Sequence, residues 1–175
     1  GSDYCPRRFK FGRDIRFVFE RSGFSAKMNE IEAAVGLGSL KIYRQIIEKR
    51  RHNLLTLMKK FQKYEKYITT FKEEKEEKIG PHAFPMILRE NAPFTRDQLT
   101  VYLDKNGIDT RDLFASMPTQ CSGFSFLGHK QGDFPNAEYI GLHGLHIGVH
   151  QDLSDEHIDY FIGRVGSFLK KYAGK

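Results

Sequence analysis

The residues best placed for chemistry lie where a loop runs into a helix, at Gly23-Phe24-Ser25-Ala26-Lys27-Met28-Asn29-Glu30-Ile31. Ser25 is a good N-cap, because its hydroxyl accepts from a free amide of the first turn. With Lys27 beside it, the helix start offers amides, dipole and a cation to an anion. An ordinary capped helix explains the same residues. Three histidines, His143, His146 and His150, raise a metal reading. On a strand, His146 and His150 share a face but stand about 13 Å apart, too far for one ion. Gly144 and Gly148 disfavour the helix that would bring them together. No metal site is expected. Cys121 has no local group to activate it as a nucleophile. Asp152, Asp155 and Glu156 read as turn and cap residues rather than an acid/base pair.

These residues need elements to hold them. Met28, Ile31 and Val35 fall three and four apart and make one apolar helical face. Gly36 and Gly38 weaken helix continuity, so a second, long amphipathic helix is expected from about 39 to 67. Its stripe is Tyr43, Ile47, Leu54, Met58 and Phe61, with Ile46 and Leu57 beside it. Residues 82–88 read as a strand, with Pro85 making part of it an edge or bulge. Thr95-x-x-Gln98 is a capping box that opens a helix with Leu99, Tyr102 and Leu103 inward, and Asn106-Gly107 closes it. A short strand at 108–114 follows. A long Gly- and Pro-containing loop at 115–137 surrounds Cys121, His129 and Asp133. A strand near 142–149 comes next. Ser154 caps the last helix, whose apolar face is Ile158, Phe161, Ile162, Val165, Phe168, Leu169 and Tyr172. Ile15 to Phe19 alternates briefly, as a strand would. This order predicts an α+β fold, helices packed on a small antiparallel or mixed sheet.

Composition sets outer bounds. The 175 residues suffice for one domain with a proper core, and 39% hydrophobic with 29% charged residues is globular. No apolar run is long enough to cross a membrane. Cys5 and Cys121 have no metal-like spacing and imply no oxidising compartment, which gives a cytoplasmic reading. The net charge of +6 permits a polyanionic partner, a nucleotide-linked sugar as readily as nucleic acid. The densest basic cluster, Lys49-Arg50-Arg51, reads as the solvated face of a helix.

The segment from Gly23 to Leu37 resembles the G-[YF]-N-[YF]-R-M-x-x-x-[QE]-A-A-x-G-L motif of the DegT/StrS-type sugar aminotransferases. Gly12-Arg13-Asp14 resembles that family's G-R-D, and Gly107-Ile108-Asp109-Thr110-Arg111 its G-I-x-T-R. Phe134-Pro135-Asn136-Ala137-Glu138, then Gly144-Leu145 and Asp152-Leu153-Ser154, resemble its closing F-P-x-A-E…G-L…x-L-[ST]. The family is fold type I and uses pyridoxal 5'-phosphate. The resemblance implies that residues 23–175 are its C-terminal small domain, and that residues 1–22 are a segment left from a large domain. It implies a homodimer, in which Ser25 and Lys27 take the phosphate-binding positions that family members fill with asparagine and arginine. Lys27 keeps the charge but loses the bidentate fork. Arg111 and His129 are the residues implied on the sugar side, with a surface ion pair as the plain alternative for Arg111. The parent enzyme would move an amino group from glutamate to a nucleotide-linked keto sugar, for a surface polysaccharide or a secondary metabolite. Its Schiff-base lysine lies, in the family, upstream of G-R-D, so this piece is expected to be inactive alone. A pyridoxamine-phosphate-dependent sugar dehydratase is the near alternative. A non-catalytic basic binding module is the distant one, and salt-sensitive nucleic-acid binding would mark it.

Overall fold

The computed structural model describes residues 9–10, 13–14, 28–113 and 122–173. Ser25 and Lys27, the expected strand at 15–19, Cys5 and Cys121 lie outside them. The chain divides into two units, Gly1–Lys41 and Ile42–Lys175. In the first, β1 (Phe9–Lys10) pairs antiparallel with β2 (Arg13–Asp14).

Helix α1 spans Glu30–Phe61 without a break. The expected pair of helices, divided at Gly36 and Gly38, is therefore one, and it ends six residues short of Tyr67. Two glycines cost about 1 kcal/mol each against alanine, which a 32-residue helix can carry. Its start is also corrected. Asn29, not Ser25, is the cap: its Oδ1 accepts from the Glu32 amide at 2.8 Å, and the Glu32 carboxylate accepts from the Asn29 amide at 3.1 Å. This is a reciprocal capping box. Met28, Ile31 and Val35 are exposed.

In the second unit, β3 (Ile68–Thr69), β4 (Ala83–Leu88), β5 (Arg111–Asp112) and β6 (Gly144–Gly148) form one sheet in the order β3-β4-β6-β5, antiparallel throughout. The α+β class stands, and the sheet is antiparallel rather than mixed. β4 is an interior strand, contrary to the edge that Pro85 suggested. The exception is local. Pro85 pairs with His146 on one side, while on the other its carbonyl accepts from Thr70 Oγ1 at 2.7 Å, past the two-residue β3 ladder. The missing proline amide thus faces the side where no strand needs it.

Period-two alternation buries Phe84, Met86 and Leu88 of β4 on one face with Leu145 and Ile147 of β6 and Ile68 of β3. Leu54, Leu57 and Phe61 of α1 meet that face, with Leu99 and Leu103 of α2 (Arg96–Lys105). Ile158, Phe161, Ile162, Val165, Phe168 and Leu169 of α4 (Asp155–Ala173) complete the core. Rings of Phe61 and Phe84 meet edge-on at 5.1 Å, and those of Phe94 and Phe168 at 5.0 Å. Each such buried side chain contributes about 1.5–3 kcal/mol. The Thr95 box forms as expected, with Gln98 reciprocating. Ser154 Oγ accepts from the His157 amide at 3.4 Å, at the start of α4.

The middle of the chain differs from expectation. The strand at 108–114 shrinks to Arg111–Asp112, and the one at 142–149 to Gly144–Gly148. Part of the expected loop is helical: a 3-10 segment runs over Ser122–Leu127, and α3 covers Pro135–His143 with proline in its first turn. The Tyr139 hydroxyl donates to the Leu88 carbonyl at 2.7 Å and ties α3 to β4. No helix among the described residues is long and apolar enough to cross a membrane.

Candidate functional site

The second face of the sheet carries the polar side chains. Ala83, Pro85 and Ile87 of β4 lie opposite Gly148, His146 and Gly144 of β6, and Arg111 of β5 lies opposite His146. Arg111, His146 and Pro85 therefore stand in one row across three strands. His146 has Gly144 and Gly148 as its neighbours along the strand, and Leu113 fills the space over Gly144. Gly144 must be glycine: a Cβ there would lie 2.4 Å from the Ile140 carbonyl and 2.6 Å from Leu113.

Arg111 is aimed by the end of α2. Gly107, at φ +71°, turns the chain, and the Ile108 amide donates to the Leu103 carbonyl at 3.0 Å. Thr110 Oγ1 donates to Asp104 at 3.2 Å. Arg96, at the start of α2, holds Asp112 at 3.5 Å and donates to the Gly141 carbonyl at 3.0 Å, which pins β5 beside α3.

Burial lowers the pKa of His146 from its ordinary value, and the charges of His82 and Arg111 lower it further. Its Nδ1 is enclosed and has no hydrogen-bond partner. A proton on Nε2 leaves only an acceptor unsatisfied there, whereas one on Nδ1 would bury a donor without a partner. The lowered pKa favours the neutral imidazole, and the enclosed Nδ1 favours the tautomer with its proton on Nε2.

Of the residues singled out in the sequence, Arg111 is exposed and makes no ion pair with any described carboxylate. Arg50, Arg51, Arg89 and Arg96, by contrast, each engage a partner within the chain. His129 is held in its own turn, 3.7 Å from Asp133 and edge-on to Phe134. No described contact joins it to Arg111. The three histidines of the metal reading diverge. His143 lies against Tyr139, His146 faces Arg111, and His150 is 3.3 Å from Asp152. Among the described residues no three ligating side chains come together. His82 and the role of His146 were not foreseen. The signal was the pattern Gly144-Leu-His146-Ile-Gly148, which puts a histidine between two glycines on one strand face.

The second unit is thus a four-stranded antiparallel sheet with helices against its apolar face and an arginine–histidine row on the other. The family model of the DegT/DnrJ/EryC1/StrS aminotransferases matches residues 7–166, and the chain belongs to that family. It is 28% identical over 161 residues to the lipopolysaccharide biosynthesis protein RfbH of Salmonella typhimurium, covering 90% of this chain and 36% of that protein. It is 32% identical over 151 residues to the GDP-4-keto-6-deoxy-D-mannose 3-dehydratase of Yersinia pseudotuberculosis, covering 80% and 36%. A crystal structure of a GDP-4-keto-6-deoxymannose-3-dehydratase with a trapped PLP-glutamate geminal diamine superposes with a TM-score of 0.66 at 26% identity, covering 85% and 38%. The chain spans little more than a third of the length of these relatives.

The donor set on the sheet face does not by itself fit pyridoxal phosphate. A guanidinium and an imidazole suit an oxyanion. They offer neither an amine for the cofactor's aldehyde nor a carboxylate for its ring nitrogen.

Proposed function

We propose that the protein containing these residues is a pyridoxal-phosphate-dependent enzyme that transfers an amino group from glutamate to a nucleotide-linked keto sugar. Residues 23–175 are its small domain and residues 1–22 lead in from a larger one. The family match over residues 7–166 carries this reading. In it Ser25 and Lys27 contact the cofactor phosphate across a cytoplasmic homodimer. Arg111 and His129 serve the sugar substrate, and the lysine that holds the cofactor lies outside these 175 residues. The chain alone is then inactive. Mixed with pyridoxal phosphate and reduced with borohydride, it should show no single labelled lysine, and one would overturn this part.

A second reading, dehydration at C3 of the sugar, is favoured by one observation. The dehydratase of Yersinia pseudotuberculosis and the superposed crystal structure are both 3-dehydratases by name. The test is the longest reading frame that contains these residues, supplied with the cofactor, 15N-glutamate and GDP-linked or dTDP-linked 4-keto-6-deoxy sugars. Amino transfer leaves 15N in the sugar. Dehydration removes the C3 oxygen and leaves the sugar free of label. Neither product with any such sugar would end both readings.

A further inference from the structure

We propose that the cleft between the turn after α1 and the outer side of α4 binds the phosphate groups of a soluble, phosphorylated small molecule, held by Lys63, Lys66 and Lys170. The inference goes beyond the function proposed above and does not depend on it.

The cleft has a volume of about 670 Å³ and opens to solvent, which leaves room for a small molecule rather than a single ion. The turn over 62–67 brings Lys63 and Lys66 to one wall, and the second half of α4 brings Lys170 to the other. Three ammonium groups from two elements therefore border one space, and no carboxylate lines it. Among the described residues none of the three lysines has a carboxylate at ion-pair distance. Glu65, between the two lysines of the turn, faces Lys72 at 3.7 Å, and Asp159, the acid of α4 nearest Lys170 in the chain, pairs with Lys60.

Two tyrosine rings steady the lysines of the turn. The Lys63 ammonium stands 5.1 Å from the Tyr64 ring centre, and that of Lys66 stands 4.8 Å from the Tyr67 ring centre. Such contacts contribute about 0.5–1 kcal/mol at exposed sites and narrow the spread of a long side chain. The rings are themselves fixed: the Tyr64 hydroxyl donates to the Ile162 carbonyl at 2.8 Å, and Tyr67 lies edge-on to Phe94. Gly163 leaves the floor open, since a Cβ there would meet nothing within 4 Å. No described atom calls for glycine at that position, and in a helix it costs about 1 kcal/mol against alanine. A single carboxylate would answer one of the three charges. A phosphate carries up to two charges and three acceptor oxygens, and lysine binds it as a point charge. Concavity selects a small molecule over a bilayer, whose headgroups meet a projecting surface.

The experiment is an NMR titration of the full-length protein, labelled with ring-13C-tyrosine, with inorganic pyrophosphate at about 150 mM salt, where diffuse attraction is screened. The Tyr64 and Tyr67 signals are assigned by their loss in Y64F and Y67F. Both should shift saturably, while Tyr160 and Tyr172, whose rings carry Arg164 and Lys171 outside the cleft, stay still. The triple variant K63Q/K66Q/K170Q should weaken pyrophosphate about tenfold or more. The triple variant K78Q/K105Q/K171Q removes the same charge from exposed positions outside the cleft and should leave the affinity unchanged. Equal weakening by both overturns the site, because it reports only the protein's overall charge. Tyr64 and Tyr67 signals unmoved at millimolar pyrophosphate also overturn it. Vesicles of phosphatidylglycerol in phosphatidylcholine form the second arm. Binding to them without a response to pyrophosphate would assign the lysines to a membrane surface and overturn the small-molecule ligand. Turnover of keto sugars enters neither readout, so this site and the proposed function fail separately.

Discussion

The side-chain amide of Asn53, in the buried part of α1, donates to the carbonyl of His150 at 2.7 Å and reaches that of Leu153 at 3.3 Å. One side chain thus fixes the turn between β6 and α4 onto the long helix. The His150 carbonyl also accepts from the Leu153 amide at 3.3 Å, which closes the turn itself. Asn53→Ala should destabilise the domain by about 1–3 kcal/mol, through the loss of both hydrogen bonds of a fully buried side chain. A fall in the urea midpoint with the slope unchanged would show it. No change would mean that water replaces the amide.

Gly163 and Gly166 sit in the same helix with opposite requirements. A Cβ at Gly163 meets nothing within 4 Å, whereas one at Gly166 would lie 2.5 Å from the Tyr64 hydroxyl, which donates to the Ile162 carbonyl at 2.8 Å. G163A should therefore stabilise by up to about 1 kcal/mol through helix propensity. G166A should destabilise in the wild type and become neutral or favourable in Y64F. Thermal melts of the four variants check this, and equal effects of G166A in both backgrounds would contradict it.

Acid should weaken the fold in two windows. His146 binds its proton less readily folded than unfolded, so stability falls as pH drops below its ordinary 6.5. Glu73 is lowered by its hydrogen bonds from Arg51 and the Ile79 amide, so its contribution is full above the ordinary 4.5 and is lost as pH falls through the lowered value. Urea melts against pH should lose the upper window in H146Q and the lower one in E73Q.

The Thr95 capping box is a purely local device. Thr95→Ala should cost about 1 kcal/mol, measured by denaturation, and Thr95→Ser very little.

What the sequence showed and hid follows the range of the interactions involved. The Thr95–Gln98 box was legible because both partners lie within four residues. Asn29–Glu32 carries the same signature, yet Ser25 drew the cap assignment, since nothing local says which polar residue lies just before the first helical turn. Gly36 and Gly38 were read as a break because propensity ignores the length of helix on either side. Helix α3 announced itself only through Pro135. The arginine–histidine row was least legible. Arg111 could be picked out by its motif, but its pairing with His146 depends on a register set by residues 35 apart in the chain. The same register leaves His129 with Asp133, in a turn of its own.

The short ladder between β3 and β4 has a consequence for how this molecule behaves in company. An open sheet edge is a template on which another chain can add a strand, and long apolar edges seed aggregation. Here β3 forms that edge and is two residues long. Just beyond it, where β4 would otherwise offer a free amide and carbonyl to a newcomer, Pro85 has no amide and its carbonyl is already taken by Thr70. The proline that is awkward for an interior strand thus acts as a stop. It denies a foreign strand the next rung and keeps the apolar run from Ala83 to Leu88 from recruiting its own copies.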